Sequence, residues 1–259
     1  MGTVSTTLES VIKKDRLILV TGLLLICLLS WWYVIYLYRQ MYPMNMDALF
    51  FAMPPHWTAT DFILLFLMWI VMMVAMMTPS VAPLILLFAL VNRQKKVNEK
   101  PYVQTAYLFT GYFIVWSFFS LLATTLQWLL QQLAWLNPHM VITNKILGSM
   151  ILIAAGLFQF SNLKQRCLHY CQTPVDFIHR KWNEGRKGAL IMGIQNGIFC
   201  LGCCWILMVI LFVSGIMNLL WIAILALFVL IEKLVRNSKL ISYSAGVALI
   251  VYGMLALFL

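Results

Sequence analysis

The chain has 259 residues, 63% of them hydrophobic and only 10% charged, with a formal net charge of +10. That balance excludes an ordinary soluble globule and marks a polytopic membrane protein. The basic residues sit in short loops between apolar runs, so the charge reads as a topology signal and not as a nucleic-acid surface, and six cysteines, three of them inside one apolar run, do not make a secreted disulfide scaffold.

Residues 1–16, with Lys13, Lys14 and Arg16, read as a polar cytoplasmic tail, and 17–259 as one transmembrane helical domain. The first apolar run, Leu17 to Tyr38, is longer than a signal-peptide core and lacks a small-residue cleavage site. It is therefore expected to span, with Trp31, Trp32, Tyr33, Tyr36 and Tyr38 as an interfacial belt. A loop with Met41, Met44, Met46, Met53 and His56 follows. The second span runs from about Phe62 to Val91, and Pro79 and Pro83 are expected to kink it. The third covers about Tyr102 to Leu130 and is followed by a loop carrying His139. The fourth covers about Ile146 to Phe160, and Ser161 to Lys187 is the longest polar segment. The fifth runs from about Gly188 to Ile216. Met217 and Asn218 turn into a sixth that ends near Glu232 and Lys233, and the seventh starts at Leu240. The expected fold is all-α, a bundle of about seven spanning helices. The tail and the loops after spans two, four and six hold 16 of the 18 Lys and Arg residues, leaving Arg39 and Lys145 on the other side. This bias places the N-terminus in the cytoplasm and the C-terminus outside, as in a multi-pass bacterial inner-membrane protein.

The densest chemistry lies in Asn196-Gly-Ile-Phe-Cys200-Leu-Gly-Cys203-Cys204-Trp205-Ile-Leu-Met208. On a helix, Asn196, Cys200, Cys204 and Met208 form one stripe with Cys203 beside it, while Gly197 and Gly202 leave room for a neighbouring helix. From opposite ends of their spans, these thiols and Met72, Met73, Met76 and Met77 are expected at similar mid-membrane depth. Thiolates and thioethers are soft ligands that select Cu(I) and bury little formal charge. On the inner side, Cys167, His169 and Cys171 offer two thiols at i, i+4 and an imidazole. Plain packing competes for each group, because free Cys and Met are also ordinary core residues. Glu232 beside Lys233 reads as an interfacial ion pair. No Ser/His/Asp set, phosphate loop or paired carboxylate stands in the spans, so an enzyme is not expected.

Three blocks, MWIVMMVAMMTPSVAPL (Met68 to Leu84), AAGLFQFSNLKQRCLHYC (Ala154 to Cys171) and GALIMGIQNGIFCLGCCWILM (Gly188 to Met208), resemble a bacterial family of polytopic proteins. That family, a domain of unknown function, is described as predicted metal-binding integral membrane proteins. The turn Gly215 to Trp221 and the pair Glu232-Lys233 fit it as well. The resemblance implies a soft-metal site; the chain departs from the pattern at Asn196, where the family commonly has His.

Together these readings point to binding of a soft metal, foremost Cu(I), at Cys200, Cys203, Cys204, Met72, Met73, Met76 and Met77. Transport or delivery would then run through Cys167, His169 and Cys171, in a lipid bilayer, with a metallochaperone or membrane complex as partner. Two alternatives stand beside this one: a membrane thiol–disulfide protein, and a structural or assembly subunit.

Overall fold

In a bilayer, apolar runs of this length must satisfy their own backbone N–H and C=O groups, and helices do so within each segment. The computed structural model describes residues 2–41, 57–97, 105–137, 140–235 and 237–258, and these residues form helices throughout, joined by short turns. The elements are α1 (Gly2–Met41), α2 (Ala59–Val97), α3 (Thr105–Gln132), α4 (Lys145–Gln159), α5 (Asn162–Gln172), α6 (Pro174–Lys181), α7 (Gly185–Val209), α8 (Leu211–Ser214), α9 (Leu219–Leu234) and α10 (Ser238–Phe258). Among the described residues, the β-type pairing is a single bridge between Leu136 and Ile142 in the loop before α4.

Five segments are long and apolar enough to cross a membrane: Leu17–Arg39, Ala59–Arg93, Thr105–Gln132, Gly185–Ser214 and Ser238–Phe258. The pair α4 and α5 makes a sixth if it counts as one broken span, bent by 62° at the break. The remaining expected crossing falls on α9, whose 16 residues extend about 24 Å against a hydrocarbon core of about 30 Å.

The bend between α4 and α5 has a local cause. Phe160 closes α4, and the Ser161 hydroxyl accepts the Lys164 backbone N–H at 3.1 Å, starting a new helix in a new direction. The polar stretch after span four is thus folded, and α5 lies along α7 with Leu168 buried. α2 runs as one helix through both prolines. Pro79 cannot donate to the Ala75 carbonyl, and the Cys27 thiol of α1 approaches that carbonyl at 4.0 Å.

Glycines set the closest helix pairs. A Cβ at Gly111 of α3 or Gly193 of α7 would run into backbone of the opposite helix, and one at Gly197 would lie 3.0 Å from the Tyr112 carbonyl. α4 and α10 meet the same way, through Gly156, Gly246 and Gly253. Small residues allow this approach where lipid provides no hydrophobic drive for association. α2 packs on α1, α3 and α9, whereas α7 packs on α3 and α5. Met72, Met73, Met76, Met77, Cys200, Cys203, Cys204 and Met208 all lie in the one buried core.

Candidate metal centre

The stripe expected on α7 forms and is buried: Cys200, Cys203 and Cys204 lie in an unbroken helix. The Cys203 and Cys204 thiols turn back on their own helix and donate to the Cys200 carbonyl at 3.0 and 2.9 Å. A fourth thiol comes from α5. Cys171, half-buried, packs against the core near the Cys200 and Cys203 thiols, so α5 and α7 bring their thiols to one region. Gly202 makes room for this arrangement, because a Cβ there would lie 2.7 Å from the Cys167 sulfur. Cys167 therefore rests on α7 one turn before Cys171, half-buried. His169 points away: its side chain is exposed and meets the Tyr170 ring edge-on.

Two groups that sequence reading had not placed converge on Cys200. The Lys233 ammonium of α9 donates to its sulfur at 2.9 Å and to the Ser80 hydroxyl of α2 at 3.0 Å. The Tyr112 hydroxyl of α3 shares a hydrogen bond with the same sulfur, also at 2.9 Å. An ammonium has donors and no acceptor, so both of its partners must accept. Lys233 is 8% exposed, and an isolated buried charge is expensive in a membrane.

Its sequence neighbour does not neutralise it. Glu232 faces Lys164 of α5, with Nζ 2.7 and 2.9 Å from the two carboxylate oxygens, and it accepts the Ser242 hydroxyl of α10 at 2.5 Å. Gln159 also takes a hydrogen bond from Lys164. The expected interfacial Glu232–Lys233 pair is thus replaced by two buried partnerships, because adjacent residues on a helix point in different directions. With Glu232 committed to Lys164, a thiolate at Cys200 is the countercharge available to Lys233. The thiolate is also the form in which cysteine binds metal.

The methionine row is buried on α2, where Met72, Met73, Met76 and Met77 are each at most 1% exposed. The hydrogen bonds of the Cys200 sulfur run to α3 and α9, and Lys233 links it to Ser80 of α2. Among the described residues, no group of three or more His, Cys, Asp or Glu side chains is placed to hold a metal ion. The thiols are close, but two are turned onto a carbonyl and a third onto an ammonium. As donors these thiols are soft. Met44, Met46, Met53, His56 and His139, together with the Met41 side chain, lie outside the described residues.

Residues 66–256 match the family model described as PpoB2, copper chaperone. No curated protein and no solved structure matches the chain.

Proposed function

The chain belongs to the PpoB2 copper chaperone family, and from that premise we propose that it carries Cu(I) as cargo at the thiols of Cys171, Cys200, Cys203 and Cys204 and hands it to a recipient at the membrane. The observation that carries this reading is the buried Cys200 sulfur held by the Lys233 ammonium and the Tyr112 hydroxyl, with the Cys203 and Cys204 thiols gathered on the Cys200 carbonyl. Cu(I) binds by soft thiolates and adds a single positive charge. The cluster holds such donors in an apolar surround where a divalent ion would leave more charge uncompensated. In the metal-free protein, Lys233 occupies the position of positive charge next to Cys200. Incoming metal takes over that sulfur, and Ser80 retains the ammonium.

The polypeptide is oriented with its N-terminus in the cytoplasm and its C-terminus outside, seven crossings in the inner membrane, on the strength of the Lys and Arg asymmetry. In that frame the thioethers of Met72, Met73, Met76 and Met77 line the approach. Cys167, beside the cluster, and His169, at the surface of α5, lead out toward the cytoplasmic side and its recipient, a metallochaperone or a membrane complex.

The closeness of Cys171 to Cys200 and Cys203 also suits a thiol–disulfide function, and one experiment separates the two. Detergent-purified protein is loaded anaerobically with Cu(I), desalted and analysed for metal, with a Cys200→Ser/Cys203→Ser variant alongside. About one copper per chain in the wild type, lost in the variant, is expected. Equal copper in both refutes the cluster; no copper in either, with a Cys171-containing disulfide in protein from aerated cells, moves the assignment to redox.

A further inference from the structure

One methionine outside the motifs is held at an energetically awkward position. Met140 lies in the loop between α3 and α4 with φ of 56°, in the left-handed region that ordinarily favours Gly or Asn. Its side chain is 1% exposed. The loop is pinned around it: Met140 N–H donates to the Asn137 carbonyl at 2.8 Å, Val141 N–H to the Asn137 side chain at 2.9 Å, and Ile142 N–H to the Phe212 carbonyl at 2.9 Å. The result is a thioether delivered into the bundle at the end opposite α5.

Its neighbours there are polar and buried. The Gln127 amide donates to the Met140 sulfur at 3.7 Å, and the Gln127 carbonyl accepts the Trp69 indole N–H at 2.9 Å. Trp69 also stacks on Phe212, with ring centroids 5.4 Å apart. Trp69 starts a line along α2. Trp69, Met73, Met76 and Ser80 are spaced four, three and four residues apart, so they share one helix face. Met72 and Met77 flank them. The line is about 16 Å long at 1.5 Å per residue. At its far end Ser80 binds Lys233, which binds Cys200.

We propose that Met140 is the entrance ligand for the soft monovalent cation, taking it at the Gln127–Trp69 end and passing it to the thioethers of Met73 and Met76 on the way to Cys200. This inference rests on the reading of the cysteine cluster as the Cu(I) site. A thioether is a weak hydrogen-bond acceptor, so the Gln127 amide holds the Met140 sulfur in place without competing strongly for its lone pair. Neutral thioethers accept the ion without deprotonation, and successive steps of three or four residues separate sites by about 5–6 Å. At each step one metal–sulfur bond forms as the previous one breaks; no covalent bond of the protein changes and the ion keeps its oxidation state.

Two measurements test it. In sealed proteoliposomes given Cu(I) from the Met140 side, loading of the cluster is followed by the thiolate-to-copper absorption. Met140→Leu, which keeps the bulk and loses the sulfur, is expected to slow loading at least tenfold while leaving final copper per chain unchanged. A wild-type rate in this variant overturns the entrance role and leaves the cluster standing; no loading in the wild type removes both. The second uses Ag(I) as a redox-inert soft cation and protein labelled with [methyl-13C]methionine, carrying Cys171, Cys200, Cys203 and Cys204 all as Ser. The Met140 methyl resonance is expected to move on addition of Ag(I), and an unmoved resonance overturns the proposal whether or not the Leu variant folds.

Discussion

Replacing Lys164 with Met tests whether the buried ion pair, and not the apolar core alone, holds the two halves of the cluster together. Lys164 is fully buried and Glu232 is 2% exposed, with the ammonium bridging both carboxylate oxygens. α5, which carries Lys164, also carries Cys171; α9, which carries Glu232, also carries Lys233. Met fills most of the volume of the Lys stem, so the substitution removes charge more than packing. It leaves the Glu232 carboxylate with Ser242 as its remaining side-chain donor. Breaking a buried pair from one side costs about 3–5 kcal/mol, because the surviving charge stays buried. The Lys164–Phe228 contact, with the ammonium 5.6 Å from the ring centroid, adds about 0.5–2 kcal/mol. Removing both charges in Lys164→Met/Glu232→Leu is expected to cost less than either single change, since no uncompensated ion remains. Equilibrium unfolding in mixed detergent–SDS micelles, followed by tryptophan fluorescence, gives all four corners of the cycle. Copper retained after desalting should fall in both single variants and recover in part in the double variant. Single variants within about 1 kcal/mol of wild type, or a double variant whose loss equals the sum of the singles, would refute the reasoning.

Three further expectations follow from the same geometry. Lys233→Met removes a charge-assisted hydrogen bond worth about 1.5–3 kcal/mol that the metal must displace from Cys200, and so should tighten Cu(I) binding by about 10- to 100-fold in competition with a chromophoric chelator at a pH where the thiols are ionised; an unchanged affinity would make the ammonium purely structural. Gly193→Ala places a Cβ against the Leu108 carbonyl of α3, whereas a Cβ at Gly22 meets nothing within 4 Å. The first should destabilise by about 1–3 kcal/mol and the second should not, as read from thermal aggregation in detergent. A variant retaining only Cys171 and Cys203 should crosslink rapidly with a short thiol-bridging reagent, seen as a mobility shift after cleavage between α5 and α7; a pair retaining only Cys27 and Cys203 should not.

The helical character of the chain was legible because it rests on long apolar runs and on nothing tertiary. So was the thiol stripe, since Cys200, Cys203 and Cys204 are close in sequence and helix geometry alone places them together. Gly197 and Gly202 marked close approaches for the same reason, although which helix would approach, α3 at one and α5 at the other, depends on the fold. The partners of the site were less visible. Lys233 looked like a boundary charge paired with Glu232, and its real contacts lie 33 residues away at Cys200 and 153 away at Ser80. Lys164 read as a basic residue near the Cys167 and Cys171 thiols, and its buried pairing with Glu232 was out of view because the 62° break that buries it comes from the Ser161 cap. Met140 carried no signal, being a single methionine in an uncharged loop whose backbone conformation cannot be read from composition. The methionine row and the thiols were expected at similar depth, and both lie in the one buried core; that Lys233 of α9 would link Cys200 to Ser80 of α2 depends on where α9 packs, which no local pattern reveals.

The most direct measurement of the central claim is copper K-edge X-ray absorption on protein loaded anaerobically with one equivalent of Cu(I). The account predicts Cu(I) with sulfur in its first shell, and loss of the bound metal when Cys171, Cys200, Cys203 and Cys204 are all replaced by Ser. A first shell of nitrogen and oxygen, or an identical spectrum from the serine variant, would contradict it.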